Sequence, residues 1–401
     1  MAKKKYDYVI VGAGLAGVSA AEGIREIDSR GSILLIGSER HLPYDRPPLS
    51  KKLWLGKKTV ADIVLHDQAY YTSAAIDLSL EETAVGLDRS AKAVTTDKGH
   101  IRRFRKLLLA TGGNPRILPI PGGDLADVCY YRRLDDYKKI RRKAVEGKSA
   151  VVIGGGFIGS EMAAALCLNR VKVTMIFPES QLIARVFPGT LGKSIQNQYR
   201  EHGIDILAED APAAIEKANG KLLTRTRNGK AVAADMVIAG IGIAPDVELA
   251  RSSGLVIGDG IEVDSLLSTA DPNVYAAGDN ASFPDSILGR RTRVEHWDNA
   301  LHQGKHAGRN MAGAAVPFTY QPYFFSDLFD FGFEAVGETD SRLETVADWQ
   351  KENSTGVIYY LKESRIRGVM LCNVWNKVDL ARELIRKKER VAAEELKGKI
   401  S

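Results

Sequence analysis

Long apolar runs that break into glycine mark this chain. "YVIVGAGLAGVSAAEGI" (8–24) and "AVVIGGGFIGSEMAAAL" (150–166) repeat one pattern: a continuous apolar run, a glycine-rich turn, then small and apolar residues. An unbroken apolar run predicts a strand buried on both faces, and the residues after the turn read as the start of a helix. Each segment leads to a second apolar run with an acid just past it, "SILLIGSE" to Glu39 and "VKVTMIFPE" to Glu179. Each half then ends in a strand running into glycine, "KLLLATGGNPR" (106–116) and "MVIAGIGIAPD" (236–246). Strands alternating with helices predict parallel sheets, so the fold class is α/β with two Rossmann-like domains in series. A third strand–glycine element, "DPNVYAAGDNA" (271–281), is too short for a domain and is expected to return the chain to the first sheet. The second fold is then inserted in the first: residues 1–116 and 245–317 form one domain and 117–244 the other. From about Phe318 the pattern changes to a C-terminal α+β domain, 318–401. There "GVIYYLKESRIRGVMLCN" (356–373) predicts a hairpin. "DLARELIRKKERVAAEELKGK" (379–399) predicts an amphipathic helix with Leu380 and Leu384 on one face and Glu383–Lys387 as an i,i+4 pair.

Composition narrows the class. At 401 residues the chain can bury large cores, and 44% hydrophobic with 26% charged content is ordinary for a soluble protein. The three cysteines, Cys129, Cys167 and Cys372, form no CxxC or CxxxxC pair, which argues against a dithiol centre and fits a reducing cytoplasm. The start "MAKKKYDYVIVGAG" is too short in its apolar part for a signal peptide or a membrane span. A net charge of +6 fits an acidic partner, nucleic acid included, and fits a plain solvated surface equally well.

The glycine spacing carries chemistry. In Gly12-x-Gly14-x-x-Gly17 the first glycine permits a tight turn, the second lets a pyrophosphate approach the backbone, and the third lets helix and strand pack closely. The helix N-terminus then faces an anion, and Glu39 would accept from ribose hydroxyls. Gly154-x-Gly156-x-x-Gly159 repeats the motif and leads to Glu179, a carboxylate that suits a free 2′-hydroxyl and repels a 2′-phosphate. NADH is therefore favoured over NADPH. Two such folds imply two nucleotides that meet, most simply FAD and a nicotinamide dinucleotide exchanging hydride.

The chain resembles the two-dinucleotide-domain flavoprotein reductases: glutathione-reductase-like folds, ferredoxin and rubredoxin reductases, monodehydroascorbate reductase and apoptosis-inducing factor. The resemblance rests on "VGAGLAG", "LPYDRPPLSK", "LLLATGGNPR", "VIGGGFIGSE", "VYAAGDNA", "VEHWDNA" and "FFSDL" and spans nearly the whole chain. It implies an FAD site formed by Gly12, Gly14, Leu15, Ala16, Gly17, Glu39, Arg46, Lys51, Val85, Ala110, Thr111, Gly112 and Arg116. Asp279 would bond the ribityl chain, with a helix N-cap as its alternative role, and Glu295, His296, Trp297 and Phe325 would line the flavin. Phe325 stands where the family usually has tryptophan. It further implies an NADH site of Gly154, Gly155, Gly156, Phe157, Ile158, Gly159, Glu161, Glu179 and Gly242.

The same resemblance pairs Lys51, in "HLPYDRPPLSKKLW" (41–54), with Glu161 as the catalytic pair beside the flavin. Without that register Lys51 reads as a surface lysine, as Lys52 and Asp45 do. Ser50 and Lys51 are expected to begin a helix aimed at the flavin. Disulfide reductases of this fold carry their cysteine pair in this region; here three prolines stiffen a loop with no cysteine. Ala300, Gly304, Ala307 and Gly308 give the helix in "HWDNALHQGKHAG" a small face. His302 and His306 have metal-ligand spacing but no evident third ligand, so no metal is expected. The aromatic run "YQPYFFSDLFDFGF" reads as interface or core between domains, and Cys129 as lying between the two folds. Arg102, Arg103, Arg105 and Lys106 read as a basic cluster at a strand edge, a solvated face or a dock for an acidic carrier.

The expectation is an FAD-containing, NADH-dependent reductase passing hydride to flavin N5 and electrons to an external acceptor. A small acidic ferredoxin or rubredoxin is the favoured partner, and the protein is a monomer or homodimer. The rivals are a slowly turning over redox sensor of the apoptosis-inducing-factor kind, a quinone or dye reductase, and a nucleic-acid binder.

Overall fold

The computed structural model describes residues 4–400, which divide into two compact units. The first takes the chain up to Asp45, then Ala61–Asn114 and Ala244–Pro322; the second takes Arg46–Val60, Pro115–Ile243 and the chain from Tyr323 onward.

The first unit is built on a seven-stranded sheet. Ile76–Ser79, Ile33–Ile36, Lys4–Val11 and Ile101–Leu109 lie side by side and parallel. Tyr8, Val9 and Ile10 have no exposed surface, and all four residues of Ile33–Ile36 are buried, as strands covered on both faces require. Val274–Ala276 joins Ile101–Leu109 in parallel, Tyr275 opposite Leu108, so the third strand–glycine element does return to the first sheet. Helix Leu15–Ile27 packs on helix Trp297–Met311 through the small face read from the sequence. A Cβ at Gly304 would come 2.3 Å from Ala16 O, and one at Gly308 would come 2.0 Å from Ala20 O.

Two readings of this unit are corrected. The basic cluster lies on Ile101–Leu109, flanked by Lys4–Val11 and Ala93–Thr96, not at an edge. Two of its cations have partners within the unit: Arg105 Nη2 donates to Tyr8 OH at 2.7 Å and its Nε lies 3.6 Å from Asp7, while Lys106 donates to Pro272 O at 2.6 Å; Arg103 and Arg105 remain exposed. Asp279 is not a helix N-cap, because the chain after Asn280 enters the strand Ala281–Asp285.

A buried carboxylate links strand ends of this sheet. Glu82 accepts from the hydroxyls of Ser79 and Thr96 and lies 2.7 Å from His100 Nδ1. Burial pushes its pKa up, but these hydrogen bonds outweigh burial and bring it down to about 2. A depressed carboxylate stabilises the fold above its unfolded-state value and loses that contribution as pH falls through the folded one. We expect about 3 kcal/mol of stability to disappear between about pH 5 and pH 2. Urea titrations across that range should show a shallower acid dependence for Glu82→Gln.

The second unit holds the repeat. Asp205–Leu207, Lys172–Ile176, Ser149–Ile153, Met236–Ala239 and Val128–Tyr130 form a five-stranded sheet, all parallel. Cys129 lies inside this sheet, not between the folds, and burial pushes its thiol up to about 12. An antiparallel sheet of five strands follows, Tyr323–Leu328, Phe331–Gly337, Arg365–Cys372, Thr355–Lys362 and Glu344–Lys351, and includes the expected hairpin.

The last helix departs from its reading. It spans Val378–Lys387 and stops where Lys388 adopts φ 54°. Its buried face is Ala381 and Ile385, whereas Leu380 is 41% exposed. Beyond the break a short turn, Ala393–Leu396, lets Leu396 and Ile400 reach the interior. A straight helix to residue 399 would have given up that burial.

The aromatic run also divides. Tyr320 belongs to the first unit, where it stacks on His302 at 3.8 Å. Phe324, Phe331 and Phe333 belong to the second, where they share ring contacts with Phe157 and Phe187. These rings tie the helix of the second glycine motif to the antiparallel sheet.

Candidate functional site

Each unit contains one glycine cradle, and the two are built alike. In the first unit Gly12 has φ +116°, and a Cβ there would fall 2.0 Å from Ala110 O. At Gly17 a Cβ would fall 1.9 Å from Gly12 O. Those two glycines are demanded by the protein's own backbone. Gly14 is different: nothing lies within 4 Å of its Cβ position. It is the N-cap of Leu15–Ile27, with no side chain capping the helix and no acid in its first turn. Gly154 and Gly159 repeat the two tight contacts, at 2.4 Å from Gly240 O and 2.0 Å from Gly154 O. Gly156 repeats the open position, again as an uncapped helix N-cap. An uncapped N-terminus beside a residue that no protein atom requires to be glycine is the chemistry of an anion-binding turn. Both cradles therefore fit a dinucleotide pyrophosphate.

Around the first cradle, Glu39 accepts from Tyr44 OH at 2.6 Å. Thr111 Oγ1 donates to Asp246 O at 2.6 Å and accepts from Asn280 Nδ2 at 2.8 Å. Asp279 follows Gly278 at the end of Val274–Ala276, and its carbonyl accepts from Arg293, whose guanidinium also bonds Glu295 at 2.5 Å. Glu295 thus has its carboxylate engaged by a neighbour. The His296 imidazole is pushed down to about 4 by burial, against the pull of Asp279 and Asp298, so it is neutral at pH 7. Trp297 Nε1 donates to Asp45 Oδ1 at 2.8 Å, which gives Asp45 a structural task beyond the surface role expected of it. Val85 is exposed on the strand Ala84–Asp88.

The second unit brings Lys51 and Glu161 together. Lys51 Nζ lies 3.2 Å from Glu161 Oε1, and both side chains are nearly buried. Both Glu161 oxygens are also engaged by hydroxyls: Ser326 Oγ donates to Oε1 at 2.5 Å and Ser50 Oγ to Oε2 at 2.5 Å. The ammonium also sits 4.5 Å from the centroid of the Phe325 ring and 3.9 Å from the exposed carboxylate of Asp327. A buried ion pair is favourable only when hydrogen bonds compensate its desolvation, and the two serines supply one to each oxygen.

The backbone delivering Lys51 corrects one expectation. Pro47–Ser50 is a 3-10 turn that Lys51 terminates, so Ser50 and Lys51 end a helical turn rather than begin one. Prolines at its start preset φ, and the segment after it is pinned where Trp54 Nε1 meets Tyr131 OH at 3.1 Å. Arg46 Nη1 donates to Arg132 O at 2.9 Å. Arg116 N donates to Gly242 O at 3.0 Å, bringing those two expected residues together. Phe157 contacts Phe324, Ile158 is 39% exposed, and Glu179 is exposed just past Lys172–Ile176.

Ser326 and Asp327 stand in the "FFSDL" motif, which by itself gives neither a task, and Ser50 reads from sequence only as a helix start. The signal for the serines is a buried glutamate with more lone pairs than one lysine can satisfy. His302 pairs with Asp298 at 3.4 Å and His306 with Val316 O at 2.6 Å, and among the described residues no cluster of metal-ligating side chains occurs. No helix among them is long and apolar enough to cross a membrane.

Comparison with known proteins adds the family context. Residues 6–304 match the model of the pyridine nucleotide-disulphide oxidoreductases, and residues 307–355 and 347–387 match that of the C-terminal domain of mitochondrion-associated apoptosis-inducing factor. The chain is 35% identical over 382 residues to the ferredoxin–NAD(+) reductase component of the anthranilate 1,2-dioxygenase system of Burkholderia cepacia, over 94% of this chain and 93% of the relative. It is 34% identical over 428 residues to mitochondrial apoptosis-inducing factor 1 of Dictyostelium discoideum, over 97% of this chain and 80% of the relative. Putidaredoxin reductase, solved in covalent complex with putidaredoxin, superposes with a TM-score of 0.92 at 30% identity, covering 99% of this chain and 96% of that one.

Proposed function

Because the chain belongs to the pyridine nucleotide-disulphide oxidoreductase family, we propose that it is an FAD-containing, NADH-dependent reductase that passes electrons to a small acidic iron–sulfur or rubredoxin-type carrier. We assign FAD to the cradle of Gly12, Gly14 and Gly17 and NADH to that of Gly154, Gly156 and Gly159. When bound, FAD would accept hydride from NADH and release its two electrons singly, with one proton leaving to solvent for each NADH consumed. The observation that carries the reading is the Lys51–Glu161–Ser50–Ser326 cluster in a chain whose three cysteines are all unpaired. With no dithiol to relay electrons, they must leave the flavin directly. The absence of any disulfide also suits a reducing cytoplasm.

The residues divide the work. The uncapped helix starts at Gly14 and Gly156 hold pyrophosphates, and Glu39 and Glu179 take the ribose hydroxyls. The family resemblance puts Lys51 beside the flavin, where its charge would stabilise the anionic reduced ring, and Glu161 holds that lysine in one orientation. His296, neutral at pH 7, offers the flavin edge a hydrogen-bonding group without a charge.

The test is anaerobic reduction of the purified holoenzyme by NADH and by NADPH, followed by reoxidation with ferredoxin, rubredoxin, quinone and dye. Fast reoxidation by a ferredoxin or rubredoxin supports the proposal; reoxidation only by quinone or dye would sink it. Glu179→Ala should raise the KM for NADH and narrow its advantage over NADPH by roughly tenfold, the worth of one or two hydrogen bonds. A second reading is favoured by the match of residues 307–387 to the apoptosis-inducing-factor C-terminal domain. On that reading turnover is slow with every acceptor, and a long-wavelength absorbance persists after NADH is added.

A further inference from the structure

Three amide side chains of the first unit, Asn280, Asn299 and Gln303, have no exposed surface. Gln303 Oε1 accepts from the Gly278 amide at 2.8 Å, and Gly278, at φ +88°, is the residue before Asp279. On the other side of Asp279, Asn280 Nδ2 donates to Leu109 O at 3.2 Å and to Thr111 Oγ1 at 2.8 Å. Gly304, next to Gln303, sits against Ala16 O, and a Cβ at Gly278 would come 3.0 Å from the Cβ of Ala16. Two buried amides thus stand where three segments meet: the start of helix Leu15–Ile27, the strand end at 109–111, and the turn at 278–280.

The choice of residue is informative. Gln303 Nε2 and the Oδ1 atoms of Asn280 and Asn299 have no partner among the described residues. A fully buried amide is retained where one of its hydrogen bonds is needed, since an apolar side chain of equal size would fill the volume without polar atoms to satisfy. Gln303 Oε1 holds the Gly278 amide at 2.8 Å, and with it the backbone that carries Asp279, and lies 3.5 Å from Asn299 Nδ2.

We infer that Gln303 is a positioning residue for the cofactor: by holding the Gly278 amide it fixes the turn from which Asp279 projects, while Asn280 locks that turn to Thr111. This rests on the assignment of FAD to the first unit. Gln303 acts through Gly278 and Asp279.

The test uses the full chain. In Gln303→Met the shape is kept and the strong acceptor is lost. In Gln303→Glu an acceptor oxygen returns, since a carboxyl so deeply buried stays protonated. The FAD dissociation constant of the apoprotein, from quenching of flavin fluorescence, and the midpoint potential of the bound flavin are both read. We expect Gln303→Met to weaken FAD about tenfold and shift the potential, Gln303→Glu to recover most of the affinity, and NADH binding to stay unchanged. In an Asp279→Asn background the methionine change should add little, because the two residues act in series. FAD affinity within twofold of wild type in Gln303→Met, or equal losses in the methionine and glutamate variants, would overturn the role. Should Gln303→Met fail to fold, Gln303→Glu alone decides: its FAD affinity must stay near wild type, because the carboxyl still offers the Gly278 amide an acceptor, and a loss as large as that of Asp279→Asn refutes the inference. A wild-type apoprotein that takes up no FAD would overturn the cofactor assignment and this role with it.

Discussion

Replacing Lys51 with alanine is expected to slow NADH reduction of the bound flavin by about a hundredfold while FAD remains bound, the scale seen when one preorganised electrostatic donor is removed. The cradle we assign to FAD lies in the first unit and Lys51 in the second, so cofactor retention and reduction rate should separate. Glu161→Ala should slow reduction as well, and should also destabilise the protein. It leaves a nearly buried ammonium and the hydroxyls of Ser50 and Ser326 without their common acceptor. Breaking one side of a buried pair costs about 3–5 kcal/mol, whereas exchanging both partners for apolar residues can be nearly neutral. The double variant Lys51→Met with Glu161→Leu should therefore recover stability and remain slow. Stopped-flow absorbance and urea titration on the same preparations read both quantities. Wild-type reduction rates in the two single variants would remove Lys51 and Glu161 from the mechanism.

The second large effect separates the glycines by what each is for. Valine at Gly154 faces a φ of +113° and the carbonyl of Gly240, so Gly154→Val should fail to fold or lose several kcal/mol. Valine at Gly156 meets no protein atom within 4 Å at its Cβ, and the residue's φ of −81° is ordinary. Gly156→Val should keep the wild-type Tm and raise the KM for NADH about tenfold or more, because its branches occupy the pyrophosphate approach. Gly14→Val should do the same to FAD, giving a folded, colourless protein. A Gly156 variant with unchanged KM would place the nicotinamide nucleotide elsewhere.

The two cradles were legible because their signal is local. A strand, a turn and a helix start occupy some seventeen consecutive residues, and the carbonyls that crowd Gly17 and Gly159 belong to the same motif. The return of Val274–Ala276 to the first sheet was legible because a short apolar strand must pair somewhere. The C-terminal helix was misread because its period continues through "KKER", and nothing local reveals that Leu396 and Ile400 gain more by turning inward. The basic cluster was placed at an edge because nothing local shows that Lys4–Val11 and Ala93–Thr96 flank its strand, although Arg103 and Arg105 are exposed as a solvated face requires.

The chain's linear order thus determined the fold class and the two glycine cradles, since both depend on spacing and residue type. Lys51 and Glu161 could be matched only through family resemblance. Tertiary structure alone supplied the serines, which lie 111 and 165 residues from Glu161, and the amides that brace the turn before Asp279. The physical reason is satisfaction of buried polar groups: a carboxylate or an amide taken out of water must find partners wherever the fold brings them, and sequence distance places no limit on where they come from.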